Sequence, residues 1–154
     1  MISELTTFVP PFLHELLGAE QTLAELYRTA NALGGVQCRI ARGRKMLVRQ
    51  SLFDETAAAL QFPWYFSDNW DSFEECLGDL DWLSSKHIVL GISSAVDLLK
   101  EESDESLQVF SDIVQRAVTA HSQRVQRSVH VVFQFTRPEE AERLTRWWPK
   151  LHRL

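Results

Sequence analysis

With 154 residues, 45% of them hydrophobic and 24% charged, the chain has the composition of a globular protein and enough length to bury a core without disulfides or metals. Its 21 acidic and 16 basic residues give a net charge of −5, which argues against nucleic acid or an anionic membrane surface as the main partner. Two cysteines, Cys38 and Cys76, form neither a disulfide framework nor a metal-ligand cluster and fit a reducing cytoplasm. No apolar run reaches transmembrane length. The N-terminal MISELTTFVPPFLHELLG lacks a basic start and is broken by Pro10–Pro11, so no signal peptide is expected. A single cytoplasmic domain over 1–154 is the expectation.

Residues 10–35 open with two prolines and close with two glycines, and Leu13, Leu16, Leu17, Leu23, Leu26, Tyr27 and Ala30 recur at helical spacing. They predict one amphipathic helix, bent near Gly18. Residues 34–49 read as a strand, a turn at Gly43 and a short extended return. Ser51, with Asp54 three residues on, predicts an N-cap for a helix over 52–60. FPWYFSDN (62–69) is a loop, and a helix follows over 70–80. HIVLGIS (87–93) predicts a buried strand, and SAVDLLKEE a short helix. The 106–123 segment places Leu107, Phe110, Ile113, Val114 and Ala117 on one helical face. SVHVVFQF (128–135) is the clearest strand. Thr136 and Glu139 suggest a capping box opening a last helix that carries Leu144, Trp147, Trp148 and Leu151. Helical crossovers between the middle strands favour a small parallel sheet with helices packed on it.

Several chemistries are missing from this pattern. GGVQCRIARG lacks the ending of a phosphate-binding loop, and no dinucleotide fingerprint occurs. The five histidines are scattered along the sequence; His87 and His130, at strand positions, read as structural rather than metal-bound. Cys76, with apolar neighbours on its helix face, reads as a buried thiol. The Asp71/Glu75 pair at i and i+4 raises general acid–base chemistry or a hard cation as an alternative. Glycosidases, however, set two carboxylates across a cleft from different elements. No cofactor and no metal are expected, and the chain is not read as an enzyme.

The stretch FPWYFSDNWDSFEECLGDLDW (62–82) is the unusual feature, with six carboxylates, seven aromatic rings and no Lys, Arg or His. On a helical projection Trp70, Phe73, Cys76, Leu77 and Leu80 form one apolar arc, and Asp71, Glu75 and Asp79 the opposite face. Asp68 extends that face into the loop, and Glu74 lies at the boundary. No cation at i±4 relieves Asp71 or Glu75. Trp64, Tyr65 and Phe66, in a row, cannot all enter one small core. Acids rimmed by Trp and Tyr suit a cationic protein partner, such as a cleft built for phosphates.

Taken together, LQFPWYFSDNWDSFEECLGDL, HIVLGIS, ESLQVFSDIVQ and VHVVFQF resemble the barstar family, intracellular inhibitors of a secreted bacterial ribonuclease. Phe62–Pro63, Tyr65, Asn69 and Asp71 hold the places of that family's loop-and-helix motif. Glu75 stands where its next contact acid stands, and Asp112 matches a further inhibitory acid in the later helix. The resemblance covers residues 36–135. It implies an α/β fold with a three-stranded parallel sheet and flanking helices, to which 1–35 adds an N-terminal helical arm and 136–154 a C-terminal helix. It implies no catalysis. It implies a partner-binding surface of Tyr65, Asn69, Asp71, Glu75 and Asp112, to which the reading of the faces adds Trp64, Asp68 and Glu74, that enters the active site of a basic ribonuclease or nuclease toxin.

The chain departs from the family pattern in four places. Phe66 replaces a Tyr, and Ser67 replaces a Gly, which predicts a different turn. Glu74 replaces a Trp, and Arg116 replaces a contact acid. The terminal segments are expected to pack on the core, with a homodimer contact through them as the alternative. A regulatory interaction module binding a basic protein that is not a toxin is the alternative function. Nucleic acid has only the Arg39, Arg42, Arg44, Lys45 and Arg49 cluster in its favour, which reads as a solvated edge.

Overall fold

The computed structural model describes residues 1–124, 126–148 and 151–154. Its frame is one five-stranded sheet, and all the strand pairs are parallel. The strands are β1 (Leu13–Leu17), β2 (Val36–Arg42), β3 (His87–Ser93), β4 (Ser128–Phe135) and β5 (His152–Arg153), ordered β2–β3–β4–β1–β5. The helices are α1 (Glu20–Asn31), α2 (Arg49–Leu60), α3 (Trp70–Asp79), α4 (Asp104–Arg124) and a single turn, α5 (Glu142–Thr145).

The expected three-stranded sheet is therefore corrected to five. β2, β3 and β4 are adjacent, as helical crossovers require, and the two further strands come from the segments expected to be helical. In the N-terminal arm, Leu13, Leu16 and Leu17 mimic helical spacing, but LHELL is strand β1 beside β4. Leu13 and Leu17 pack against the core on one face, and Leu16 joins the core on the other. A strand covered on both faces loses the polar alternation that would have betrayed it. Only Glu20–Asn31 of the arm is α-helical. The C-terminal helix is likewise corrected. Pro138–Ala141 is a 3-10 turn, α5 lasts four residues, and His152–Arg153 pairs with His14–Glu15 as β5. Residues 149 and 150 of the expected helix lie outside the described residues. A Glu15–Arg153 ion pair at 2.7 Å ties β5 to β1.

Local details shift in smaller ways. No return strand follows Gly43; residues Gly43–Lys45 form a 3-10 turn so close to β3 that a Cβ on Gly43 would strike the Ser93 and Ser94 carbonyls. Ser51 sits inside α2, its Oγ accepting the Val48 N–H. Glu140, rather than Glu139, accepts the Thr136 N–H. The sheet's free edge at β2 is blocked by side chains. The Asn31 amide exchanges two hydrogen bonds with the Cys38 backbone (2.9 and 3.1 Å), and Glu55 accepts the Arg42 N–H. Such plugs keep an edge strand from pairing with another chain.

Alternation along β4 divides the core. Val129, Val131, Phe133 and Phe135 join the larger cluster under α2, α3 and α4, whereas Val132 joins Leu23, Leu26, Cys38 and Val89 beneath α1. On this second face the histidines that look scattered in sequence meet. His14 Nε2 lies 2.9 Å from His130 Nδ1, and His130 Nε2 lies 3.1 Å from the Thr7 carbonyl. The carbonyl only accepts, so His130 carries its proton on Nε2 and takes a hydrogen bond from His14. His14 Nδ1 is then left buried without a hydrogen-bond partner. His152, level with His14 in the sheet, bonds Glu4 at 2.7 Å.

Burial, reinforced by neighbouring histidines, pushes His14 down to about 3; burial, opposed by the Thr7 bond, pushes His130 down to about 4. Both groups take up protons more readily in the unfolded chain, so their contribution to stability is complete above the ordinary histidine value and is lost as pH falls from there toward 4. Urea unfolding between pH 7 and pH 5 is expected to show stability falling by about 1 kcal/mol per pH unit for each histidine below pH ~6.5. A His14→Gln variant is expected to flatten that slope. Among the described residues, no helix is long and apolar enough to cross a membrane.

Candidate functional site

The acidic segment is built on a floor of rings. Phe53 of α2 lies 5.0 Å from Trp70, 5.3 Å from Phe73 and 5.7 Å from Phe66, mostly edge to face. Phe62 adds contacts to Phe66 and Phe73, and the Trp82 indole N–H donates to the Leu60 carbonyl at 2.8 Å. Five of the segment's seven rings thus pack inward on one another. The two that remain are Trp64, 95% exposed, and Tyr65, 48% exposed.

A knot of short-range bonds sets the loop. The Phe66 N–H reaches the Pro63 carbonyl, Ser67 Oγ donates to the Tyr65 carbonyl, and the Ser67 N–H meets Ser72 Oγ. Ser67 in place of the family's glycine predicts a different turn; the left-handed residue of this loop is Asp68 (φ 51°) and not Ser67, and aspartate is a residue type that tolerates the conformation. Gln50 Nε2 holds the Asp68 carboxylate at 3.1 Å. Asn69 caps α3: its Oδ1 accepts the Ser72 N–H at 2.8 Å and its Nδ2 donates to the Ser67 carbonyl. Its amide is therefore occupied in positioning the helix. Replacing Asn69 with Ala is expected to lower unfolding stability by about 1 kcal/mol, read from thermal denaturation.

Helix α3 buries Phe73, Cys76 and Leu77, so its opposite face is turned to solvent. Asp71 lies exposed in the first turn, where the helix dipole favours a carboxylate. Glu75, Asp79 and Asp81 line a groove of about 460 Å³ between α3 and α4, with Glu74, Arg116 and His121. His121 is buried, its Nε2 2.9 Å from the Leu77 carbonyl. Partial desolvation, and then the negative charges about it led by Asp79, push the Tyr65 phenol above its ordinary value. It therefore stands beside the acids as a neutral donor. Partial burial, and then a hydrogen bond shared with Asp81, push Asp79 up as well. Asp79 and Asp81 lie outside the partner-binding set expected from sequence. Asp79, at i+4 from Glu75, carries a signal in its spacing; Asp81 follows the helix, where spacing says nothing.

One expected member of the acidic surface has an ion-pair partner within the chain. Glu74 Oε1 accepts from Arg116 Nε at 2.7 Å, from α3 to α4. The two substitutions that look independent in sequence, Glu74 and Arg116, are one ion pair. Asp112, exposed one turn earlier on α4, adds its negative charge to the field at Arg116. Asp71, Glu75, Asp79 and Asp81 form no ion pair among the described residues. Among those residues no group of three or more His, Cys, Asp or Glu is arranged to hold a metal ion. Of the basic cluster, Arg42 pairs with Glu55.

A family model described as "Barstar (barnase inhibitor)" matches residues 36–134, which take in β2, β3, the acidic segment, α4 and nearly all of β4. No curated protein matches the chain. Among solved structures, the crystal structure of Cdc6p from Pyrobaculum aerophilum is similar, with a TM-score of 0.57 and 16% identity over 91% of this chain and 38% of that one. So is a structure of Drosophila ORC bound to GC-rich DNA and Cdc6, with a TM-score of 0.53 and 13% identity over 93% of this chain and 49% of that one. The chain spans less than half of each, and the likeness is one of fold.

Proposed function

The chain belongs to the barstar family of barnase inhibitors, and from that membership we propose that it inhibits a basic ribonuclease or nuclease toxin by seating its acidic helix and aromatic loop in the enzyme's phosphate-binding cleft. The observation that carries the reading is a set of carboxylates, Asp71, Glu75, Asp79 and Asp81, without ion-pair partners among the described residues, beside the exposed rings of Trp64 and Tyr65. Glu75 and Asp71 meet the Lys and Arg side chains that would otherwise hold substrate phosphate. Tyr65 donates from the rim, Trp64 covers the cleft edge, and Asp112 meets a peripheral cation. Asp68 and Asn69 hold the loop in shape, and Glu74 contributes through its pairing with Arg116. The mechanism is occlusion: no bond is made or broken and no cofactor takes part.

Opposite fields speed encounter, and salt slows it. The test titrates the chain into barnase and a panel of other secreted basic ribonucleases while cleavage of a fluorogenic RNA is followed. Stoichiometric loss of activity with at least one enzyme, and association that slows as salt rises, is the expected result. Undiminished cleavage by every enzyme overturns the reading.

A further inference from the structure

The groove between α3 and α4 has carboxylates on one wall, Glu74, Glu75, Asp79 and Asp81, and a cation on the other, Arg116. Arg116 touches Glu74 through Nε alone; the structure gives its terminal guanidinium nitrogens no hydrogen bond among the described residues. The side chain is 59% exposed. Those nitrogens form the fork that matches a carboxylate or a phosphate. A free phosphate or a nucleotide would meet four carboxylates with no cation of its own to offset them, whereas a carboxylate on a basic protein surface arrives beside the Lys and Arg that pair with Glu75, Asp79 and Asp81, so it is the occupant the charges admit.

We propose that Arg116 is a specificity-determining residue that selects nucleases presenting an Asp or Glu beside the cations that meet Glu75. The proposal rests on the inhibitor reading above. The face is divided into two zones. Around Glu75, Asp79 and Asp81 it is purely negative and accepts any cationic cleft. The Glu74–Arg116 pair beside it is neutral in sum but polar in detail, with the cation on the α4 side and Asp112 one turn before it. A uniformly basic enzyme sets a positive charge against Arg116, and such like-charge contacts are what exclude wrong partners at interfaces. An enzyme with an acid there completes the open fork.

The experiment measures dissociation constants of the unaltered chain and of Arg116→Glu, Arg116→Gln and Glu75→Ala against barnase and the same panel of basic ribonucleases. Selection by Arg116 predicts a changed order of preference. Arg116→Glu should lose about tenfold or more against the enzyme held most tightly and gain against at least one held weakly, with Arg116→Gln between. Arg116→Glu puts a second acid beside Glu74, so Glu74→Arg/Arg116→Glu, which keeps the ion pair in reverse, accompanies it. This double variant should also change the order. An unchanged order in both Arg116→Glu backgrounds, or a uniform shift against every enzyme, overturns the proposal. If Glu75→Ala weakens binding while the order holds, only the role of Arg116 falls. If no chain binds any enzyme, the inhibitor reading falls and takes this one with it.

Discussion

Removal of the Glu75 carboxylate is expected to weaken binding to the target nuclease by ~2–5 kcal/mol, mainly through faster dissociation. Barnase–barstar is itself the standard system for such couplings, and the range belongs to that pair and its like. The reason for choosing Glu75 is local. It projects from the middle of α3 and lines the groove beside Tyr65, and it has no ion pair among the described residues. In the complex it would be desolvated against Lys or Arg, and truncation would leave that cation buried and unpaired. Asp71, at the open start of the helix, is more easily replaced by water. Surface-immobilised nuclease and a series of salt concentrations distinguish the effects: Glu75→Ala should change the dissociation rate strongly and the association rate modestly. A dissociation constant within twofold of the unaltered chain would sink the helix-face mechanism.

Phe73→Ala is expected to cost about 3–5 kcal/mol of folding stability, a large share of what a domain of this size possesses. Phe73 is fully buried, and its ring centroid lies 5.3 Å from Phe53, 5.8 Å from Trp70, 5.8 Å from Phe62 and 6.1 Å from Phe110. It joins α2, α3, α4 and the loop in one cluster. Its loss removes the support beneath Phe62, on which Phe66 in turn rests, and with it the posture of Trp64 and Tyr65. Urea unfolding would register the destabilisation, and affinity measured well below the unfolding midpoint would register the loosened loop. A loss under 1 kcal/mol would mean that the ring floor relaxes to fill the space.

The parts of this molecule that could be read from sequence are those whose physics is local. β3 and β4 are continuous apolar runs with β-branched residues, and their observed bounds match those expected. Helix α3 announces itself through its two faces, and its acids fall within the matched family region. What escaped needed the fold itself. β1 has helical leucine spacing because both its faces are buried, and β5 is two residues long. Arg116 meets Glu74 across 42 positions, and His14 meets His130 across 116. No periodicity carries such information. The absence of a cation near Glu74 in sequence therefore points to a free acid where the fold supplies a partner.

The insertion of β1 between β4 and β5 has a consequence for the order in which the chain acquires structure during its synthesis. Leu13 pairs with Val131 and His14 with His152, so the segment that emerges first in this sequence pairs with those that emerge last. At ordinary elongation rates β1 waits ~6–24 s for β4 to be made. Until then its backbone groups and leucines have no sheet to join, while β2 and β3 can already pair. Long-range pairing of this kind slows folding and exposes the waiting strand to other chains. Among nascent chains Leu13–Leu17 is the segment that a chaperone would be expected to cover.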